Sequence, residues 1–295
     1  MAEDYARGRF VSVSRRTVPG RGRREGRATT APAYYCRDAM TTVRLDLAYN
    51  GAEFAGWAAQ PGERTVQEEI EAALERVLGM RPRLTVAGRT DAGVHAWGQV
   101  ASFDTEAELP RSFDRALNAV TPDDIAVWGA AVAEQGFDAR RDARSRTYCY
   151  RVLAAPAPSP FERGLSLFWP HRLYPAMLER CAEAVVGTHD FTAFTPTQTE
   201  HVRFERQVMM AEWRRGRSLG PTMRSPRAGL EVFELWIEAD AFMRGMVRAL
   251  VGTMLEVGSG RRSLGDFTAL LGGAPREEAG DTVRAHGLYL AAVGY

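Results

Sequence analysis

Gly88-Arg89-Thr90-Asp91-Ala92-Gly93-Val94-His95 is polar, rich in glycine, and holds one carboxylate beside one arginine. Apolar runs flank it, with Leu84 and Val86 before and Val100, Ala101 and Phe103 after. The spacing predicts strands over 83–88 and 97–104. That puts the octapeptide on their connection, where chemistry sits on a rigid scaffold. Reading outward, Val43, Leu45, Leu47 and Tyr49 alternate from Thr41 and predict a strand. Thr65-Val66-Gln67-Glu68 has the form of a capping box, and Val66, Ile70, Leu74 and Val77 then share one helical face to about Gly79. A short helix over Pro110–Val120 and a strand over Ile125–Val132 follow. The order β-α-β-β-α-β is that of a ferredoxin-like unit.

The second half repeats this order without sequence identity to the first. It reads as a strand over 146–153, a helix over 174–186, strands over 207–214 and 230–239, a long helix over 242–257, a short helix near 266–271 and a last strand over 288–293. The expected fold class is α+β, with two tandem ferredoxin-like (βαββαβ) units forming one mixed, mostly antiparallel sheet with a central cleft. The halves divide as 41–144 and 145–295, and the Ala- and Pro-rich stretch Ala154–Pro160 is a loop inside the second. Residues 1–40 hold nine arginines and little periodic apolar pattern, which reads as a disordered Arg-rich arm. Met40 is an alternative start, a non-specific RNA-contacting tail is a second reading of the arm, and a transit peptide, against which Glu3 and Asp4 weigh, is a third.

Composition bounds the rest. The 295 residues are 45% hydrophobic and 25% charged, as in a soluble globular enzyme. No apolar run approaches the roughly 20 residues that span a bilayer. The N-terminus has no apolar signal core, so secretion is not expected. Cys36, Cys149 and Cys181 fit neither a disulfide framework nor a paired metal motif, which points to a reducing cytoplasm. The chain has no lysine, so all 38 basic residues are arginine. Lysine Schiff bases and lysine general bases are excluded, and any cationic site is a guanidinium, planar and suited to phosphate and base contacts.

Asp91, read alone, is a nucleophile, a base, a metal ligand or a turn cap paired with Arg89. No further His or Cys cluster joins Asp91 and His95, which weighs against a metal, and no elbow motif supports a hydrolase triad. Arg244 and Arg248 stand four apart on the expected long helix, whose residues are apolar nearly all round. A buried guanidinium requires an anion, and Asp91 is the natural candidate; a solvated helix end is the alternative. Tyr148 and Tyr150 share one face of their strand, either as core or as a stacking surface for bases. Arginines cluster at Arg140–Arg146 and at Arg203–Arg227, as solvated faces or as nucleic-acid contacts.

The octapeptide resembles the signature of the TruA family of tRNA pseudouridine synthases. Further motifs agree in order: Gly56-Trp57, Arg64-Thr65-Val66-Gln67, Gly98-Gln99-Val100, Arg146-Thr147-Tyr148-Cys149-Tyr150, His189-Asp190-Phe191-Thr192, Met246-Val247-Arg248 and His286-Gly287-Leu288. The resemblance spans about Thr41 to Tyr295. It implies the pseudouridine synthase fold and isomerisation of uridine to pseudouridine in the tRNA anticodon stem-loop (positions 38 to 40 in the family). It implies no metal or organic cofactor, and a cytoplasmic homodimer with tRNA as partner. By the same resemblance Asp91 matches the nucleophilic aspartate, Tyr148 the tyrosine that packs on uracil and takes the C5 proton, and Arg248 the arginine paired to the aspartate. Arg89 matches the arginine that holds the place of the flipped nucleotide. Thr90, His95 and Gln99, and Arg203 at the head of the second arginine cluster, are expected to bind substrate.

These residue types suit the reaction, because uracil must leave C1′, turn and rejoin through C5. A carboxylate serves as nucleophile or base toward the sugar, and a guanidinium orients it. Leaving the stack costs the base a few kcal/mol, which arginine and aromatic contacts offset. The chain departs from the family pattern at Asn50, Trp97, Ser102 and Ala249, all next to matching motifs. These positions are expected to bear on the RNA target rather than on the chemistry. The same chemistry on a non-standard RNA or a small uridine compound is a second reading, and a non-catalytic RNA-binding module a third.

Overall fold

Apolar and polar residues alternating from Thr41 build the strand on which the first half rests. In a computed structural model, which describes residues 40–198, 202–218 and 231–295, strand β1 (Thr41–Tyr49) buries Val43, Leu45, Leu47 and Tyr49 and sets Arg44 and Asp46 on its other face. The arm expected over 1–40 lies outside the described residues except for Met40. Helix α1 (Val66–Leu78) adds Val66, Ile70 and Leu74 to the same core. The Thr65 hydroxyl accepts from the Glu68 backbone N–H at 3.4 Å and donates to the Glu68 carboxylate at 3.1 Å, so the second half of the expected capping box is replaced by a side-chain bond.

Strand β2 is only Thr85–Val86, shorter than the run over 83–88 predicts. Side chains take the backbone groups on either side of it. The Glu71 carboxylate accepts from the Leu84 N–H at 3.2 Å, and the Gln99 amide donates to the Gly88 carbonyl at 2.7 Å. The first half continues with β3 (His95–Thr105), α2 (Phe113–Asn118) and β4 (Ile125–Val132). Its strands stand in the order β4-β1-β3-β2, every pair antiparallel.

The second half runs β5 (Ser145–Ala154), β6 (Leu167–Trp169), α3 (Pro175–Val185), β7 (Gly187–Asp190), β8 (Glu205–Gly216), β9 (Glu231–Ala239), α4 (Met246–Gly258), α5 (Leu264–Leu270) and β10 (Leu288–Gly294). Strands β6 and β7 are absent from the sequence reading because three or four residues hold too few alternations to mark a period. The expected strand start at Leu230 lies outside the described residues. Helix α4 begins at Met246 rather than at 242. Gly245 takes φ 71°, a left-handed conformation that stops the helix there, so Phe242, Met243 and Arg244 belong to the preceding loop.

The strands of both halves join in one mixed sheet in the order β4-β1-β3-β10-β5-β9-β8-β7, with β2 also on β3 and β6 on β5. It is mostly antiparallel, as expected; the parallel pairs are β3·β10 and β5·β6. The backbone seam between the halves is short, with Tyr289 opposite His95 and Leu290 opposite Ala96. One hydrophobic cluster nevertheless runs through both halves, from Leu45 and Leu74 to Tyr148, Val247 and Phe267. Among the described residues no helix is long and apolar enough to cross a membrane.

Candidate functional site

The octapeptide hangs from the segment that follows β1. Trp57 N–H donates to the Thr90 carbonyl at 3.0 Å and Gly93 N–H to the Phe54 carbonyl at 3.2 Å. Val94 N–H closes a turn on the Asp91 carbonyl at 3.1 Å, with Gly93 at φ 76° in the third position, as a type II turn requires. Gly56 sets the distance between the two segments. It takes φ 108°, and a Cβ there would fall 2.8 Å from the Thr90 carbonyl oxygen. The Gly56-Trp57 motif therefore holds the Asp91 turn by close backbone approach.

The turn opens onto a cleft of about 1360 Å³ between the halves. From the first half Arg83, Gly88, Arg89, Thr90, Asp91 and Arg140 line it, and from the second Arg146, Tyr148, Arg206, Phe242, Arg244 and Arg248. Among the described lining residues there are seven arginines and one carboxylate, Asp91. The formal net charge of the whole chain is only +1, so positive charge is gathered here and balanced elsewhere. A wall of seven guanidiniums with one carboxylate attracts a polyanion.

Asp91 is about a third exposed and faces two guanidiniums. Arg248 Nη1 is 3.7 Å from one carboxylate oxygen and Arg244 Nε 3.8 Å from the other. The two differ in anchoring. Arg248 is 22% exposed and its Nε donates to the Val283 carbonyl at 2.7 Å, whereas Arg244 is 78% exposed. The expected meeting of Asp91 with Arg248 is present. Arg244 reaches the same carboxylate from the loop before α4, not from the helical face on which the spacing placed it.

Tyr148 is 8% exposed, and Phe242 meets its ring edge-on at 5.0 Å. Burial, and then the nearby Tyr49 and Asp91, push the phenol pKa well above its ordinary value, so the ring is neutral across the physiological range. Tyr150 shares that strand face but is fully buried, and its hydroxyl donates to the Arg284 carbonyl at 2.7 Å. Of the two rings only Tyr148 reaches the cleft. Arg89 is exposed on the cleft wall and makes no hydrogen bond or ion pair among the described residues. The Thr90 hydroxyl shares a hydrogen bond of 2.8 Å with the Tyr49 hydroxyl, which accepts from Gln99 at 3.2 Å.

Three expected substrate contacts fall elsewhere. His95 is 1% exposed, with both ring nitrogens engaged: Nδ1 accepts from Gly51 N–H at 3.0 Å, and Nε2 faces the Gly164 and His286 carbonyls at 3.0 and 3.1 Å. Its ring stacks on Tyr289 at 4.6 Å. Gln99 is fully buried and spends its amide on Gly88 and Tyr49. Gln99 holds the octapeptide from behind and His95 fixes its last residue in the interior, because a buried polar group is stable only with its partners made. Arg203 is exposed but does not line the cleft; Arg206, three residues on, does. Arg206 donates to the Arg203 and Glu205 carbonyls, while its Nε is buried without a partner. The strand expected over 207–214 starts just past Arg206, and an arginine-rich stretch gives no sign of which guanidinium turns inward.

None of the four departures from the family pattern lines the cleft. The Asn50 side chain accepts from Ala52 N–H at 3.1 Å, a role open to any short side-chain carbonyl. Trp97 stacks on Tyr289 at 4.3 Å, Ser102 is buried and accepts from Ala139 N–H at 3.0 Å, and Ala249 is buried in α4. Proximity in sequence to the motifs is not proximity to the site.

The profile of a family described as tRNA pseudouridine synthase matches residues 47–140 and 181–295. The tRNA pseudouridine synthase A of Frankia casuarinae is 42% identical over 261 residues, covering 88% of this chain and 90% of that protein. The protein of the same name from Corynebacterium glutamicum is 41% identical over 266 residues, 86% of this chain and 89% of its own length. That from Bifidobacterium longum is 40% identical over 287 residues, 87% of this chain and 94% of its own.

Proposed function

Because the chain belongs to the tRNA pseudouridine synthase family, we propose that its arginine-lined cleft isomerises uridine in the tRNA anticodon stem-loop with Asp91 as the nucleophile. The observation that carries this reading is the lone carboxylate: Asp91 shares the cleft with seven arginines and no other acid among the described residues. In this reading Asp91 attacks C1′ and the C1′–N1 bond breaks, its electrons staying with uracil. The base turns within the cleft and attacks C1′ through C5, expelling the carboxylate. The C5 proton then passes to solvent and N1 takes up a proton in its place, so the ring regains its conjugation.

Arg248, fixed by Val283, orients the carboxylate, and Arg244 adds charge from an exposed side chain. Tyr148 packs on the uracil. Its raised phenol pKa favours this stacking role over that of a resting base, since a neutral phenol has little affinity for a proton. Arg89, unpaired at the wall, holds the space left by the flipped nucleotide, and Thr90 fixes the turn through Tyr49. The substrate contact expected of Arg203 passes to Arg206.

Several broader readings go with this one. With the short strands β6 and β7 left out, β10-β5-β9-β8 numbered from β5 repeats the order β4-β1-β3-β2 of the first half, which supports two ferredoxin-like units over 41–144 and 145–295. A homodimer follows from the resemblance, and sedimentation should give twice the mass of one chain. A cytoplasmic location suits the free, buried thiols of Cys149 and Cys181.

The test is tritium release from C5-tritiated, unmodified tRNA. Release by the wild type that vanishes in Asp91→Asn, with RNA binding kept, is the expected result. Binding without any release by the wild type would instead make the protein an RNA-binding module, and release from a uridine nucleotide but not from tRNA would move the substrate.

A further inference from the structure

We propose that Arg146 is a positioning residue for the isomerisation, holding the Asp91 segment and the Arg244–Arg248 segment at the separation in which the site works. The proposal rests on the reading of the cleft given above.

Arg146 stands near the start of β5, where Ala239 of β9 and Val293 of β10 pair with it on either side. A guanidinium has five N–H bonds, and here every one is used. Nε and Nη2 both donate to the Ala87 carbonyl, at 3.1 and 2.8 Å. The second Nη2 hydrogen goes to the Arg140 carbonyl at 2.9 Å. Nη1 donates to the Ala143 carbonyl at 3.0 Å and to the Asp240 carbonyl at 3.1 Å. Five bonds thus converge on four main-chain oxygens, and no carboxylate is paired with Arg146 among the described residues.

Those oxygens belong to the segments that carry the site. Ala87 directly precedes Gly88, the first residue of the octapeptide. Asp240 opens the loop that carries Phe242 and Arg244 and leads into α4, where Arg248 lies. Arg140 itself lines the cleft. One rigid plane therefore ties the first half to the second at the cleft. Its contribution is large because the backbone seam between the halves is only two residue pairs long. A planar fork fixes direction as well as distance, which an ammonium with three rotating donors does not. With no N–H left over, Arg146 has no donor for RNA, so its influence on the reaction runs through the residues it holds. A displacement of about 1 Å in such a constellation costs on the order of 100-fold in rate.

The experiment uses the tritium-release assay on the full chain, with Arg146→Lys, Arg146→Ala, and Arg146→Ala supplemented with millimolar guanidinium. The expected result is a fall in kcat of about 10- to 100-fold, KM for tRNA within about twofold of wild type, and partial recovery of kcat by guanidinium in the alanine variant only. Unchanged kcat in the lysine variant, or a rise in KM with kcat kept, overturns the proposal. So does loss of the folded state in both variants, which would make Arg146 a residue of stability alone. Hydrogen exchange supplies a readout that does not depend on turnover. In Arg146→Lys, amides of 88–94 and of 241–245 should exchange faster together while those of α1 stay as they were. Acceleration of one segment without the other overturns the proposal. A wild type without release, by contrast, sinks the functional reading and leaves the exchange result to decide this one.

Discussion

The hydroxyls of Tyr49 and Thr90 lie 2.8 Å apart in the interior behind the octapeptide. Burial pushes the Tyr49 phenol up to about 12, so this is a bond between two neutral hydroxyls over the whole working range of pH. Tyr49→Phe leaves Thr90 without that partner and removes the Tyr49 acceptor of Gln99. Unfolding in urea should show a loss of about 1–3 kcal/mol, the cost of stranding a buried polar group. An unchanged midpoint would mean that a water replaces the hydroxyl.

Gly56→Ala should damage the same turn from the opposite side. The substituted Cβ meets the Thr90 carbonyl at 2.8 Å in a backbone conformation that alanine rarely adopts. Strain of about 1–3 kcal/mol is expected, together with a fall in tritium release, because the Asp91 turn must move to relieve the contact. Release at the wild-type rate would show that the turn tolerates the shift.

The two guanidiniums facing Asp91 should prove unequal. Arg248 is anchored at Val283 and mostly buried, so Arg248→Ala should lower kcat by roughly 100-fold, comparable to removing a preorganised donor from a transition state. Arg244 is mostly exposed and screened by solvent, so Arg244→Ala should cost less than about tenfold. Equal losses in steady-state assays at one salt concentration would contradict this ranking.

Stability should fall on the acid side of neutrality because of His95. Burial lowers its pKa below the ordinary value of about 6.5, and Gly51 N–H already points at Nδ1, where a second proton would have to go. As pH falls, the unfolded chain takes up this proton first. The His95 contribution is therefore complete above about 6.5 and declines from there down to the folded-state pKa. His286 is lowered too, by burial and then by Arg284, and acts in the same direction. Urea melts at pH 7.5 and 5.5 should show a smaller difference for His95→Gln than for the wild type. Identical differences would assign the effect to His286 or to carboxylates.

Much of this architecture was legible in the residues, for particular physical reasons. The alternation in Val43–Tyr49 and the helical spacing of Val66, Ile70 and Leu74 survive because each has a full face buried. The pairing of Asp91 with Arg248 could be anticipated because a guanidinium on an apolar helix has few anions to choose from. What misled was proximity along the chain. His95 and Gln99 belong to matching motifs, yet the chain passes from the turn at Asp91 into the buried strand β3 within four residues, so a motif supplies both residues of the site and residues of the interior behind it. Arg146 could not be singled out in the same way. Its partners are four main-chain oxygens, and main-chain oxygens leave no mark on a sequence.

Strand β10 enters the sheet between β3 and β5, which gives the order of synthesis a meaning. A ribosome delivers Asp91 long before it delivers Leu288. Until residues 288–294 have emerged, no backbone hydrogen bond joins the strand beside the carboxylate to the strand bearing Tyr148. The early half is free to fold while the later one is still being made, since domains fold as units during translation. A nascent chain halted short of β10 would thus hold Asp91 on a folded half while Tyr148 waits on an unjoined strand, and the cleft would be complete only when β10 closes the sheet at its middle.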